Sequence, residues 1–335
     1  MLTLLPSMKR ANNPHELARP AKEARPTPAP FELPRTREKG REPPGPAILL
    51  VTHGEPPEHL FRRLLGAYLA GAGEFVLRER GVLRAPTREV VRSFCRRTRQ
   101  PEILSDEPGV LTLRDLAFES PVPLEQRISR MGRIVLDFHR AAVESWSHLP
   151  LDADGAWERR DDEIDREAWY VQRLAAIRLR DGEGGSRLLG YWTVARSLER
   201  IADHATILGD EGRRLVDLPQ GTGPLTSLRQ FHRQAMDHLE GVLSATDGAT
   251  ANELLDTGEA LLASGRALSD RLLPAVNGGT MPPATAAAVA RILESMGRTV
   301  AYSEDIAQVV LDRSLPTVRV GERTLVSPLA ASPLA

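Results

Sequence analysis

Asp161 and Asp165 stand four residues apart, and so do Glu199 and Asp203. Residues at that spacing share one face of a helix, with Cβ atoms about 5–6 Å apart. If the two segments are neighbouring antiparallel helices with these faces apposed, four carboxylates converge. Like charges at such range repel strongly unless a cation neutralises them. Oxygen-rich sets of this kind suit hard cations, or iron and manganese inside helical bundles. The competing reading is a solvated face, on which the same acids pair with Arg159, Arg160, Arg166, Arg196 and Arg200 to little energetic effect. His204 adjoins the second pair and is either a further ligand or a packing, hydrogen-bonding histidine.

The elements that must position these residues are helical. After Pro123 apolar residues recur at three- and four-residue spacing, and the pattern predicts six long helices near 123–148, 154–181, 186–217, 224–245, 249–273 and 284–313. Pro150, Gly182-Glu-Gly-Gly185, Gly221-Thr-Gly-Pro224, Thr246-Asp-Gly248 and Asn277–Pro283 punctuate them. Upstream, the run Ala47–Thr52 reads as a buried strand. A helix through Leu60, Leu64 and Tyr68, a strand at Glu74–Arg78, a helix through Val90, Val91 and Phe94, and a hairpin turning at Glu107-Pro108-Gly109 follow it. The expected result is a small α/β domain over 46–118 whose two helices cover one sheet face.

Residues 1–45 carry nine prolines between Pro6 and Pro44, interleaved with basic residues and without apolar periodicity. Neither helix nor sheet runs through such a segment, so it is expected to be a disordered arm. Residues 316–335 are expected to form a loose tail. Together these give a mainly α chain: two tandem three-helix bundles over 119–218 and 219–315, preceded by the α/β domain and the arm.

The two bundles look like copies. Ser197-Leu-Glu-Arg-Ile-Ala-Asp-His-Ala205 aligns with Ser295-Met-Gly-Arg-Thr-Val-Ala-Tyr-Ser303 at an offset of 98 residues, room for three helices with their loops. His204 aligns with Tyr302, and Arg200 with Arg298, whose expected role is an inter-helix ion pair. Gly297 and Ala301 replace Glu199 and Asp203, so any metal chemistry of these acids is confined to the first copy.

The nonamer at 197–205 resembles the signature of the PhoU family, phosphate-transport regulators built from two three-helix repeats. The acidic run Glu158-Arg-Arg-Asp-Asp-Glu-Ile-Asp-Arg166 resembles that family's companion motif, and Arg298–Leu311 its closing helix in the archaeal branch. The resemblance, over roughly Pro46–Arg313, implies a set of metal ligands comprising Asp161, Asp165, Glu199 and Asp203, with Asp162 as an alternate, for iron, zinc, manganese or magnesium. It implies a non-enzymatic regulator that meets the ATPase subunit of a phosphate ABC transporter or a phosphate signalling protein such as a sensor kinase, and a homodimer. The archaeal branch often adds a DNA-binding domain, but the arm here has no strand-rich segment to match it.

Composition bounds the alternatives. Of 335 residues, 44 are basic and 45 acidic, for a formal net charge of −1, so no whole-chain field draws nucleic acid or an anionic membrane. Aromatic residues make up 4%, too few for base-stacking platforms. The single Cys95 excludes a disulfide framework and suits a reducing cytoplasm. Near the N-terminus, the charge-free apolar stretch Leu64–Gly73 is half the roughly 20 residues a membrane-spanning helix needs. Two other functions stay open: transcriptional control by DNA binding through the arginines of the arm, and a carboxylate-bundle metalloenzyme. Di-iron bundles typically place Glu-x-x-His on paired helices, whereas Asp165 and Glu199 are followed three residues on by Ala168 and Ala202.

Overall fold

A computed structural model of the chain describes residues 45–115, 122–147, 155–215, 223–277 and 281–314. The expected arm at 1–45 (but for Gly45) and the tail at 316–335 lie outside the described residues. Among those described, no helix is long and apolar enough to cross a membrane.

The N-terminal region runs β1 (Ala47–Val51), α1 (Pro57–Leu69), β2 (Glu74–Glu79), α2 (Ala85–Arg97), β3 (Pro101–Glu107) and β4 (Val110–Asp115). The strands form one sheet in the order β1-β2-β4-β3, with β1 parallel to β2 and the remaining pairs antiparallel. Alternation decides the faces. Leu49, Val51, Phe75, Leu77, Leu111 and Leu113 point to one side and are buried against Leu60, Leu64 and Tyr68 of α1 and Val91 and Phe94 of α2. Ile48, Leu50 and Ile103 lie exposed on β1 and β3. Prolines at the start of both helices supply a preset φ where no donor is missed.

Six helices follow: α3 (Leu124–Glu144), α4 (Ala156–Arg180), α5 (Gly185–Gly212), α6 (Gly223–Ser244), α7 (Gly248–Asn277) and α8 (Pro283–Ser314). Their ends lie within a few residues of the positions that proline, glycine and periodicity mark. In α3 the sequence Met131, Val135, Phe138, Ala142 steps by three and four residues and is buried throughout. Between α4 and α5, Gly182 adopts φ 90°, a conformation that favours glycine, and the Glu183 amide donates to the Arg178 carbonyl at 3.0 Å. This tight turn folds α5 back along α4.

The two helix trios share their interior. One hydrophobic cluster joins Val135 and Phe138 (α3), Ile164 and Val171 (α4), Leu198 and Ile201 (α5), Leu239 (α6) and Val300 (α8). A second joins Trp146, Leu208 and Leu215 to Leu228, Leu272, Ile292 and Met296. The aligned helices α5 and α8 pack on each other along the shared core. His204 stacks on Tyr302 with ring centroids 5.9 Å apart, so the residues matched by the internal repeat meet in space.

Candidate metal centre

The α4–α5 turn apposes the two acidic faces. One carboxylate oxygen each from Asp165, Glu199 and Asp203 lie within 4.8 Å of one another, and among the described residues no other trio of histidine, cysteine, aspartate or glutamate comes so close. Asp165 is buried, Glu199 half-buried and Asp203 exposed, so the cluster opens outward along α5. Asp161 stands beside the trio rather than within it. Its Oδ1 is buried and accepts no hydrogen bond.

The proximity shows in the acidities. Burial raises the Asp161 carboxyl to about 7, with Asp165 and Asp203 adding to the effect. Glu199 rises to about 7, through burial and then the charges of Asp203 and Asp165. Asp165 rises to about 6 through burial, although Arg97 pulls it down. Asp203 is raised by burial and lowered by Arg200. Each carboxyl is thus held above its ordinary value in a half-dry cleft, the state that a cation would relieve.

The donors fit a hard cation. They are all oxygen, they come from two helices locked by one turn, and one buried oxygen of Asp161 has no partner inside the protein. Of the four residues expected as ligands, the structure gathers Asp165, Glu199 and Asp203 and sets Asp161 at the margin. The alternate, Asp162, is not in the trio: it pairs with Arg97 at 3.0 Å.

Two expectations need correction. Arg200 does not close an inter-helix ion pair. Its Nη1 donates to the Tyr302 hydroxyl at 3.3 Å and its guanidinium lies 5.6 Å from that ring centre, because α8 offers Gly297, Ala301 and Tyr302 where α5 has Glu199, Asp203 and His204. Nor is the countercharge of the α4 acids drawn only from arginines adjacent in sequence. Asp162 and Asp165 draw their countercharge from Arg97 at the end of α2, each at 3.0 Å. The signal was present as the basic run Arg96-Arg97-Thr98-Arg99, complementary to the acidic run on α4, but no local pattern says that the two meet.

The α/β region is anchored on α4 by more than Arg97. Arg99 pairs with Glu167 at 2.6 Å. Arg173, almost fully buried, donates to the Tyr68 and Ala72 carbonyls and pairs with Asp115. Gln100, held at φ 82°, donates to the Tyr170 hydroxyl at 3.0 Å. A second buried group also escaped the sequence reading. His139 of α3 stacks on His232 of α6 at 5.8 Å, and burial depresses them to about 4 and about 3, so both are neutral. Cys95 is half-buried with its thiol pushed up to about 11 by burial, the profile of an unreactive cysteine.

No curated protein matches the chain. Among solved structures it is similar to the phosphate transport system regulatory protein PhoU from Streptococcus pneumoniae, with a TM-score of 0.50, 17% identity, and coverage of 56% of this chain and 91% of that one. At that identity the likeness speaks for the fold. The family model for the PhoU domain matches residues 128–211, from within α3 to the end of α5. That stretch includes both helices bearing the acid cluster, so the PhoU domain match and the candidate metal centre fall on the same part of the chain.

Proposed function

We propose that the chain is a cytoplasmic regulator of phosphate transport that acts through protein contacts and turns over no substrate, with a cation held in its first helical repeat. The observation that carries this reading is that the PhoU domain match falls on the helices that gather Asp165, Glu199 and Asp203. Asp161 completes the set, its unpartnered buried oxygen turned to account. An all-oxygen donor set favours magnesium, manganese or iron over zinc. When bound, the cation neutralises the cleft and pins α4 to α5.

Everything else is the work of the chain. Asp165 is fixed by Arg97, and Glu199 and Asp203 by a helix whose opposite face is packed on α8. The surface so held is the one offered to partners, for which the ATPase subunit of a phosphate ABC transporter and a phosphate signalling protein are the candidates. Assembly as a homodimer belongs to the same reading.

The test is affinity capture of the full-length chain from cells grown at high and at low phosphate. A phosphate-transporter component or its signalling protein should be recovered at one level or both. Absence of every such component under both conditions contradicts the proposal.

A further inference from the structure

Arg97 occupies a position that the rest of the site does not explain. It closes α2, in the α/β region, yet its guanidinium reaches across to α4 and pairs with Asp162 and Asp165 at 3.0 Å each. Two aromatic rings flank it, Phe61 of α1 at 5.2 Å and Trp169 of α4 at 5.4 Å, and those rings also touch one another. Such a cage holds a planar guanidinium in one place.

Asp165 is therefore shared. It belongs to the trio whose oxygens converge, and it is the acceptor of the Arg97 Nη2 hydrogen bond. A cation among the trio would sit close to a fixed positive charge. Two positive charges at that range repel, and they compete for the electron density of one carboxylate. Arg97 also lines a groove of about 570 Å³ between α1 and α2, together with Phe61, Arg62, Val90, Ser93 and Arg96. One side chain thus touches both the acid cluster and an outer groove of the other region.

We propose that Arg97 senses the occupancy of the acid cluster. Binding of a cation weakens the Arg97–Asp165 pair, loosens the last turn of α2 around Arg97 while Arg99 and Gln100 keep their bonds to α4, and so alters the groove. By linkage, the Arg97 pair weakens cation binding to the same degree. The inference rests on the cation reading of the cluster. The movement is confined to the end of α2, because Arg173 and its bonds to Tyr68, Ala72 and Asp115 hold the rest of the α/β region in place.

The experiment titrates manganese(II) into the full chain by calorimetry, with wild type, Arg97→Gln, Arg97→Lys and the Glu199→Gln, Asp203→Asn double variant. Amide hydrogen exchange is followed at 91–100 and at 68–73. Arg97→Gln should bind manganese on the order of ten times more tightly, within the usual range of site-to-site coupling. Arg97→Lys, which keeps the charge, should stay near wild type. Saturating manganese should speed exchange at 91–100 in wild type, and leave 68–73 unchanged.

Equal affinity in wild type and Arg97→Gln, with binding lost in the double variant, overturns the sensing role and leaves the cation reading standing. The same follows if Arg97→Lys shifts as far as Arg97→Gln, since packing rather than charge would then be at work, or if exchange at 91–100 does not respond. Absence of binding in both wild type and Arg97→Gln overturns the cation reading, and the sensing role with it.

Discussion

Helices α5 and α8 carry the same nine-residue pattern and differ in what they do with it. Ser197, Leu198, Ile201, Ala202 and Ala205 are buried, and so are their counterparts Ser295, Met296, Thr299, Val300 and Ser303. The duplicated positions are packing positions. Between them, α5 sets Glu199 and Asp203 toward Asp165, while α8 has Gly297 and Ala301, and space around Gly297 is open. Packing constrains a helix at every turn, whereas a charged site needs its residues only where a partner face supplies the rest. The second repeat thus keeps the packing without the acidic trio, and Tyr302 turns the position opposite His204 into a contact between the copies.

A pair of glycines sharpens this contrast most. A Cβ on Gly212, at the end of α5, would collide with Trp146 Cδ1, whose indole is fixed by donation to the Leu208 carbonyl at 2.9 Å. Gly212→Ala should therefore destabilise the fold by about 2–3 kcal/mol through overpacking. Gly297→Ala meets nothing and should stabilise it by about 0.5–1 kcal/mol, the ordinary gain of alanine over glycine in a helix. Denaturant unfolding of the two variants checks both. Equal effects would contradict the close packing on Gly212 and the open space at Gly297.

The dependence on pH gives smaller effects, opposite in sign for two buried clusters. The acids have folded-state values raised to about 7 for Asp161 and Glu199 and about 6 for Asp165. Between about pH 4 and 7 the folded state binds the extra protons, so this cluster lowers stability as pH rises through that window. His139 and His232, where α3 meets α6, have values depressed to about 4 and about 3. There the unfolded state binds the extra protons, and stability is lost as pH falls below about 6.5. In metal-free protein, Glu199→Gln should raise the melting temperature more at pH 8 than at pH 5. His232→Phe should help more at pH 5 than at pH 8. Thermal unfolding at the two values decides, and parallel behaviour of the two variants would contradict the assignment.

Much of this was legible in the sequence. The helices were, because Pro123, Gly182 and Pro283 break a steady three- and four-residue periodicity, and the β-α-β-α-β-β order was, because short β-branched runs alternate with helical ones. The gathering of Asp165, Glu199 and Asp203 followed from spacing once α4 and α5 formed a hairpin, which is a local event. What could not be read was long-range. Arg97 lies 68 residues before Asp165, and nothing near either residue encodes that α2 docks on α4. The stacking of His139 on His232 depends equally on how two trios of helices interlock. Asp161 shows the limit of spacing itself: it shares a face with Asp165, yet stands outside the trio while its neighbour Asp162 is taken by Arg97.

The central claim, that the first repeat alone holds a cation, is tested most directly by elemental analysis of the purified chain beside the Glu199→Ala, Asp203→Ala double variant. The wild type should carry about one equivalent of a magnesium-, manganese- or iron-class metal, and the double variant almost none. Equal metal content in the two proteins would contradict it.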